Sequence, residues 1–401
     1  MNVLIVSESL WPYGSGGELA TFLFMKLLPK YGVHVRVVVK TGFRARELSG
    51  IEIYRISGLG YGKYFVPTYE SNKLLTKLVS WSDVVYFASG LFNLIPSIKS
   101  LGKPVVVHLH SYSPICPVGS LYNFVTGSAC NPKCRVCGEC AWLYERSHDR
   151  GLPHSIGSTV LNSSVGSYFA KLLDCANALI FVSYAQRNLF VTHLRTILNS
   201  SIPRSYIIYN PVPDVKYSEP REVNVGYFGG LSPLKGYHVV LKAWARIFRR
   251  YRDRALFMTK MEGLGEKSII LRKINVFAYG RLELNELEQL WSRIGVVVVP
   301  SIWQEPAPYA VVETLLCGRL LIASSVGGIP EISVGAPGVR LVPSNDIDSL
   351  VDALDWGLSM DPRDVVELGL KNREYVLRKF DNERCIHRLT KIFDKVLTLK
   401  G

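Results

Sequence analysis

The sequence predicts an α/β protein built from two doubly wound halves that face each other across a cleft. Apolar runs of strand length, such as Val3–Val6, Val105–Leu109 and Val296–Val299, are continuous rather than alternating, as in strands buried on both faces of a parallel sheet. Segments of helical periodicity separate them, the βαβ rhythm of a doubly wound fold. At 401 residues the chain exceeds one ordinary core and suits two domains.

In order, the first half reads as strand Val3–Val6, glycine loop Pro12–Glu18, helix Leu19–Tyr31 and strand Val33–Val39. The loop lacks the spacing of a dinucleotide fingerprint and the Lys-Ser/Thr of a P-loop, yet its glycines let a ligand approach the backbone. Further strands are expected at Ile51–Ile56, Asp83–Ala88, Val105–Leu109 and Ala178–Ser183. Two prolines in Asn210–Asp214 mark a stiff, exposed linker, dividing residues 1–214 from 215–377. The second half opens with strand Val225–Phe228, the loop Gly229–Gly236, and a helix carrying Val239, Val240, Leu241 and Trp244. Strand Val276–Tyr279 and a helix over Asn285–Ile294 follow, then Val296–Val299. Pro306 and Pro308 exclude a helix interior, but Pro308 suits a first turn. A helix Tyr309–Cys317 with Gly318 past its end, a strand Leu320–Ser324 and a Gly327-Gly328 turn complete the unit.

Two carboxylates bracket that unit, Glu305 in the loop and Glu313 in the helix, with seven residues between them. Backbone N–H groups around Pro308–Ala310, at the helix start, favour an anion such as a phosphate. Glu313, a turn further in, is placed to accept two hydrogen bonds from a vicinal diol, and Glu305 to meet a sugar. Lys235, between a strand and a helix N-terminus, suits a pyrophosphate. Each has an ordinary alternative: a solvated loop acid, a helix acid, a surface lysine.

The stretch Val296–Ile332 resembles the E-x7-E signature of the retaining group 1 glycosyltransferases of family 4, with the GT-B fold. HLHSYSPICPVGSLY (108–122) is similar to that family's HDxWxxCPxGxL segment, and Val225–Gly236 to its xxGRLxxxKG loop. The resemblance implies His110 as the catalytic-site histidine, with His108 the competing choice, and Glu305 beside the transferred sugar. It implies donor contacts at Gly229, Gly230, Lys235, Arg281, Pro308, Tyr309, Ala310 and Glu313. Gly16, Gly17 and Glu18 resemble the loop bordering acceptor and sugar. The last helix, about Asn382–Leu399 within residues 378–401, is expected to pack back on the first domain. The implied reaction transfers a hexose from a UDP- or GDP-sugar to a glycan or lipid-linked hydroxyl, with retention and without a catalytic cofactor. Leaving-group charge is met by Lys235 and helix N–H groups. The sequence departs from the pattern at Gly230 (an arginine in the family), Ser111 (an aspartate) and Pro308-Tyr309 (Phe-Gly), and in the blurred glycine segment Met261–Gly265. A nucleotide-sugar epimerase, a GT-B phosphorylase and a non-catalytic nucleotide-sugar binder are the neighbouring readings.

Cys130, Cys134, Cys137 and Cys140 fall within eleven residues, inside an insertion at about 111–150, with Cys116 upstream. In a reducing compartment such density reads as a structural zinc knot, with an iron–sulfur cluster or disulfides as alternatives. Cys175, Cys317 and Cys385 read as buried thiols. The formal charge of +14 calls for an anionic partner. A nucleic-acid reading, with the knot as its zinc module, lacks a basic stripe interleaved with aromatics near the cysteines. The run Arg246–Arg254 reads as a solvated helix face. No apolar run reaches the ~18 residues of a membrane span, and the N-terminus reads as a strand rather than a signal peptide. The expectation is a cytoplasmic protein, with peripheral attachment to an anionic membrane surface as its membrane option.

Overall fold

The computed structural model describes the chain except residues 42–49, 60–64, 135, 149, 165, 199–201, 262–267, 281 and 399–401. Two seven-stranded sheets carry it. The first contains β1 (Asn2–Ser7), β2 (His34–Val39), β3 (Glu52–Arg55), β4 (Val84–Ser89), β5 (Val105–Leu109), β6 (Ala178–Phe181) and β7 (Arg204–Ile207), in the order β7-β6-β5-β4-β1-β2-β3, all parallel. The second contains β8 (Asn224–Tyr227), β9 (Leu256–Met258), β10 (Ser268–Leu271), β11 (Val276–Ala278), β12 (Ile294–Val299), β13 (Leu320–Ser324) and β14 (Val339–Val342), in the order β10-β11-β9-β8-β12-β13-β14. Only edge strand β10 runs antiparallel there. Every residue of β5, β12 and β13 is buried, which is why these strands read as continuous apolar runs.

In both sheets the first strand sits centrally and the winding reverses beside it, between β1 and β4 and between β8 and β12. Doubly wound sheets bind ligands at the carboxyl ends of the strands at such a switch point. The sequence reading missed β7, β9, β10 and β14. β9 has three residues and β14 is half-exposed, so neither makes a long apolar run. The first helix begins at Gly16 rather than Leu19, because Ser15 and Glu18 form a capping box at its start. It gives way to a 3-10 turn, Leu28–Tyr31, at Pro29.

The closing helix, Asn382–Thr398, lies on the first sheet. Its Ile386, Leu389, Ile392, Phe393 and Val396 recur at helical spacing and share a core with Val3, Ile5, Val37 and Tyr86. Each such side chain contributes roughly 1.5–3 kcal/mol of burial. The linker is not the exposed joint expected from its prolines. Pro211 is buried, the Val212 N–H donates to Asn382 Oδ1 (2.8 Å), and Asn382 Nδ2 donates back to the Val212 carbonyl (3.0 Å). The crossing back of the chain therefore pins the linker from both sides.

Candidate active site

Glu305 is the best-held acid of the cleft. It is only 3% exposed, and three donors converge on its Oε1: Lys235 Nζ at 2.6 Å, Ser301 Oγ at 2.7 Å and Trp303 Nε1 at 2.9 Å. The Lys235 ammonium also stands 5.2 Å from the centre of the Trp303 ring. Burying a carboxylate is costly unless it is paired and hydrogen-bonded, and here both conditions hold. The backbone of the loop is fixed as well: Gly328 N–H donates to the Glu305 carbonyl (2.7 Å) and Gly327 N–H to Gln304 Oε1 (2.9 Å). Gly327 has φ +51°, and a Cβ there would collide with the Glu305 backbone.

The loop after β8 brings Lys235 to this point. Pro233–Lys235 forms a 3-10 turn closed by Gly236 at φ +76°, where a Cβ would strike the Pro300 carbonyl. Gly229 leaves room for the Tyr227 ring, whose hydroxyl donates to the Gly230 carbonyl (2.9 Å). Gly230 has φ +67° and approaches the Lys260 carbonyl, to which a Cβ would stand at 2.8 Å. An arginine here would be strained on both counts, which gives the departure from the family pattern a local physical reason. Arg281 lies outside the described residues, as do residues 262–265 of the blurred glycine segment.

The helix after the loop runs Tyr309–Leu316, with Pro308 as its N-cap rather than in its first turn, and Gly318 follows in left-handed conformation (φ +71°). Its first N–H groups, at Tyr309 and Ala310, have no carbonyl one turn earlier to bond. The Tyr309 ring is not free for a ligand: it is buried, and its hydroxyl donates to the Pro211 carbonyl (2.8 Å). Glu313 is half-buried, and burial pushes its carboxyl up from 4.5 to about 7 against the opposing charge of Lys260.

The first domain presents its own wall. His110 follows β5, and burial lowers its imidazole to about 4, so it is neutral at pH 7. Both its ring nitrogens are buried without a partner among the described residues. His108 lies on the same face two residues earlier, fully buried, with Nδ1 at 2.6 Å from the Tyr86 hydroxyl and its ring stacked on His110 at 4.5 Å. Gly17 is where His110 needs space: a Cβ there would lie 3.0 Å from the His110 Cβ. A Cβ on Gly16 would lie 3.2 Å from the Tyr309 ring, so the glycine loop meets the second domain's helix directly. Glu18 does not reach for a sugar; its Oε2 accepts from the Ser15 N–H (2.8 Å) and hydroxyl (3.0 Å).

One residue escaped the sequence reading. Tyr112 is fully buried, its hydroxyl lacks a partner among the described residues, and its ionisation is raised by burial and then by the charge of Glu305. It packs in the first domain's core on the segment after His110, near enough to Glu305 to feel its charge. The signal was present as a tyrosine beside the position where the family pattern has tryptophan.

The five cysteines Cys116, Cys130, Cys134, Cys137 and Cys140 line one cavity of about 100 Å³, joined by His193. All eight cysteines are free thiols. Among the described residues no three His, Cys, Asp or Glu side chains are arranged to hold a metal ion, so the expected four-thiolate zinc knot is not assembled. Asn123 Nδ2 and Phe124 N–H donate instead to Cys134 and Cys140, and Cys140 donates to the Tyr122 carbonyl. Cys317 is buried as expected, but Cys385 is only half-buried and Cys175 is exposed. Of the basic run, Arg246 and Arg250 pair with Asp348 and Asp355. Among the described residues no helix is long and apolar enough to cross a membrane.

Residues 222–359 match the family model of group 1 glycosyl transferases. An uncharacterized 42.6 kDa protein in the cps region of Klebsiella pneumoniae is 25% identical over 368 residues, spanning 87% of this chain and 92% of that protein. Sucrose-phosphate synthase from Thermosynechococcus elongatus superposes with a TM-score of 0.68 at 16% identity, covering all of both chains. Anabaena HepE in complex with UDP-glucose superposes at 0.67 and 15% identity, over 98% of this chain and 100% of that one.

Proposed function

We propose, from the premise that this chain is a retaining group 1 glycosyltransferase of the GT-B fold, that it moves a hexose from a UDP-sugar to a hydroxyl of a glycan or lipid-linked acceptor. The observation that carries this reading is the three-donor clasp on Glu305, at the carboxyl end of β12 in a loop whose Pro306 carbonyl accepts from Ser183 of the first domain. A uridine donor is favoured because HepE, of the same fold, has been captured with UDP and with UDP-glucose. In our reading the diphosphate draws the Lys235 ammonium away from Glu305, and the N–H groups of Tyr309 and Ala310 help meet the leaving-group charge. Glu313 accepts the ribose hydroxyls. Glu305, still held by Ser301 and Trp303, turns its carboxylate to the sugar, while His110 and Tyr112 close the opposite side. The formal charge of +14 suits an acceptor at an anionic surface, with the protein attached peripherally.

The test is thermal unfolding of the purified protein with UDP, GDP and ADP, beside Glu313→Ala. At a hundredfold excess over Kd, a nucleotide that binds only the native state stabilises it by about 2.7 kcal/mol. A shift with UDP, lost in the variant, is the expected result; no shift with any nucleotide refutes the reading. Release of UDP from UDP-sugar only when acceptor is present separates the transferase from an epimerase.

A further inference from the structure

The two domains are joined at a point that the donor loop and the linker share. The helix Tyr184–Leu198 belongs to the first domain, and its opening N–H groups need partners that the helix itself does not supply. Ser183 covers one: its Oγ accepts from the Gln186 N–H (3.1 Å). The next two are covered from the other domain. Glu331, on the short helix Ile329–Ser333, accepts from the Tyr184 N–H at Oε1 (2.9 Å) and from the Ala185 N–H at Oε2 (3.1 Å). The Tyr209 hydroxyl, just ahead of the linker, donates to the same Oε1 (2.7 Å). A carboxylate at a helix N-terminus is favoured by both the free N–H groups and the dipole.

This junction continues into the donor loop. The Ser183 hydroxyl donates across the domains to the Pro306 carbonyl (2.6 Å). Pro306 follows Glu305, whose own carbonyl accepts from Gly328, the residue that opens the Glu331 helix. A Cβ on Gly328 would lie 2.9 Å from Ser183 Oγ, so the approach is close enough to require glycine. Glu331, Gly328, the Glu305 loop and the helix cap thus form one hydrogen-bonded circuit spanning both domains.

We infer that Glu331 is a positioning residue: by capping the first domain's helix it fixes the domain orientation in which the Glu305 loop faces the His110 wall. It touches neither donor nor acceptor. Its effect on turnover rests on the transferase reading above, but its effect on the junction does not. Swinging the domains apart breaks three hydrogen bonds to one carboxylate and the Ser183–Pro306 bond together, so the junction releases as a unit.

The experiment compares wild type, Glu331→Ala and Glu331→Gln by hydrogen exchange, UDP affinity and steady-state kinetics with UDP-sugar. In Glu331→Ala, exchange is expected to rise at least tenfold in peptides covering 184–187 and 301–307. Turnover should fall at least tenfold while the Kd for UDP stays within threefold, because the nucleotide contacts lie in the second domain. Glu331→Gln keeps one acceptor oxygen and should fall between the two; it carries the test if the alanine variant does not fold. Unchanged exchange at 301–307, or turnover within threefold of wild type in a folded variant, overturns the inference. If wild type itself turns over no UDP-sugar, the transferase reading fails while the exchange data still decide the junction.

Discussion

Replacing Glu313 with glutamine should make the protein more stable at pH 8 and useless for nucleotide binding. In the folded chain burial raises this carboxyl from 4.5 to about 7. The folded state therefore holds the Glu313 proton more tightly than the unfolded state does. Below about pH 4.5 both states are protonated and the group costs nothing. Between 4.5 and 7 the unfolded state loses its proton first, so stability falls as pH rises, and above 7 the full cost is paid. At about 1.4 kcal/mol per pH unit, that cost is about 3 kcal/mol. Glutamine cannot ionise, so the variant escapes it. For a domain of this size each kcal/mol moves Tm by about 2–4 °C, so the variant should melt roughly 6–12 °C above wild type at pH 8 and level with it near pH 4.5. The assay is a pair of melting curves across pH 4.5–8.5, with UDP affinity measured alongside. In wild type, affinity should weaken as pH drops below 7, since only the ionised carboxylate accepts both ribose hydroxyls; in the variant it should be weak and flat. A Tm difference that does not change with pH, or a variant less stable than wild type at pH 8, refutes the argument. Stability given up at a binding site is the general cost of keeping a poorly solvated polar group there.

Lys235→Met should strip the buried Glu305 of its counter-ion, lowering stability by roughly 2 kcal/mol at pH 7 and turnover by more than a hundredfold; adding Glu305→Gln should restore most of the stability, read by denaturant melts, and none of the activity. Gly230→Arg, which restores the family residue, should lower stability by about 1–3 kcal/mol without tightening UDP binding, because the backbone is left-handed and the Lys260 carbonyl is in the way. Burial pushes the Cys130 thiol up to about 12 and the Cys140 thiol to about 11. In metal-free protein at pH 8, peptide mapping after iodoacetamide treatment should therefore find the exposed Cys175 alkylated long before either.

The parts legible in the sequence were those whose physics is local. A strand buried on both faces is apolar along most of its length, so β5, β12 and β13 declared themselves, and the Glu305–Glu313 spacing fell where a loop meets a helix start. What stayed hidden depends on distant partners. Nothing near Glu331 in the chain says that its oxygens belong to Tyr184 and Ala185, about 150 residues earlier. Glu18 stood in a segment resembling the family's acceptor loop, yet its carboxylate accepts from the N–H and hydroxyl of Ser15, three residues back. For the cysteines, close spacing along the chain pointed to the four at 130–140, whereas the fold lines one cavity with these, Cys116 and a histidine, His193, from a later helix.

The helix Asn382–Thr398 has a consequence for how the protein is made. During synthesis the ribosome delivers Val3, Ile5, Val37 and Tyr86 hundreds of residues before it delivers Ile386, Leu389 and Phe393, with which they share a core. Nascent domains generally fold in the order they emerge. Here the sheet that emerges first must wait with part of one apolar face uncovered, the part that Phe24 and Met25 of the first helix do not shield, while the second domain has all its strands in hand once Val342 has left the tunnel. The half that begins the chain is the last to be finished, and a holding chaperone has its natural target on that open face.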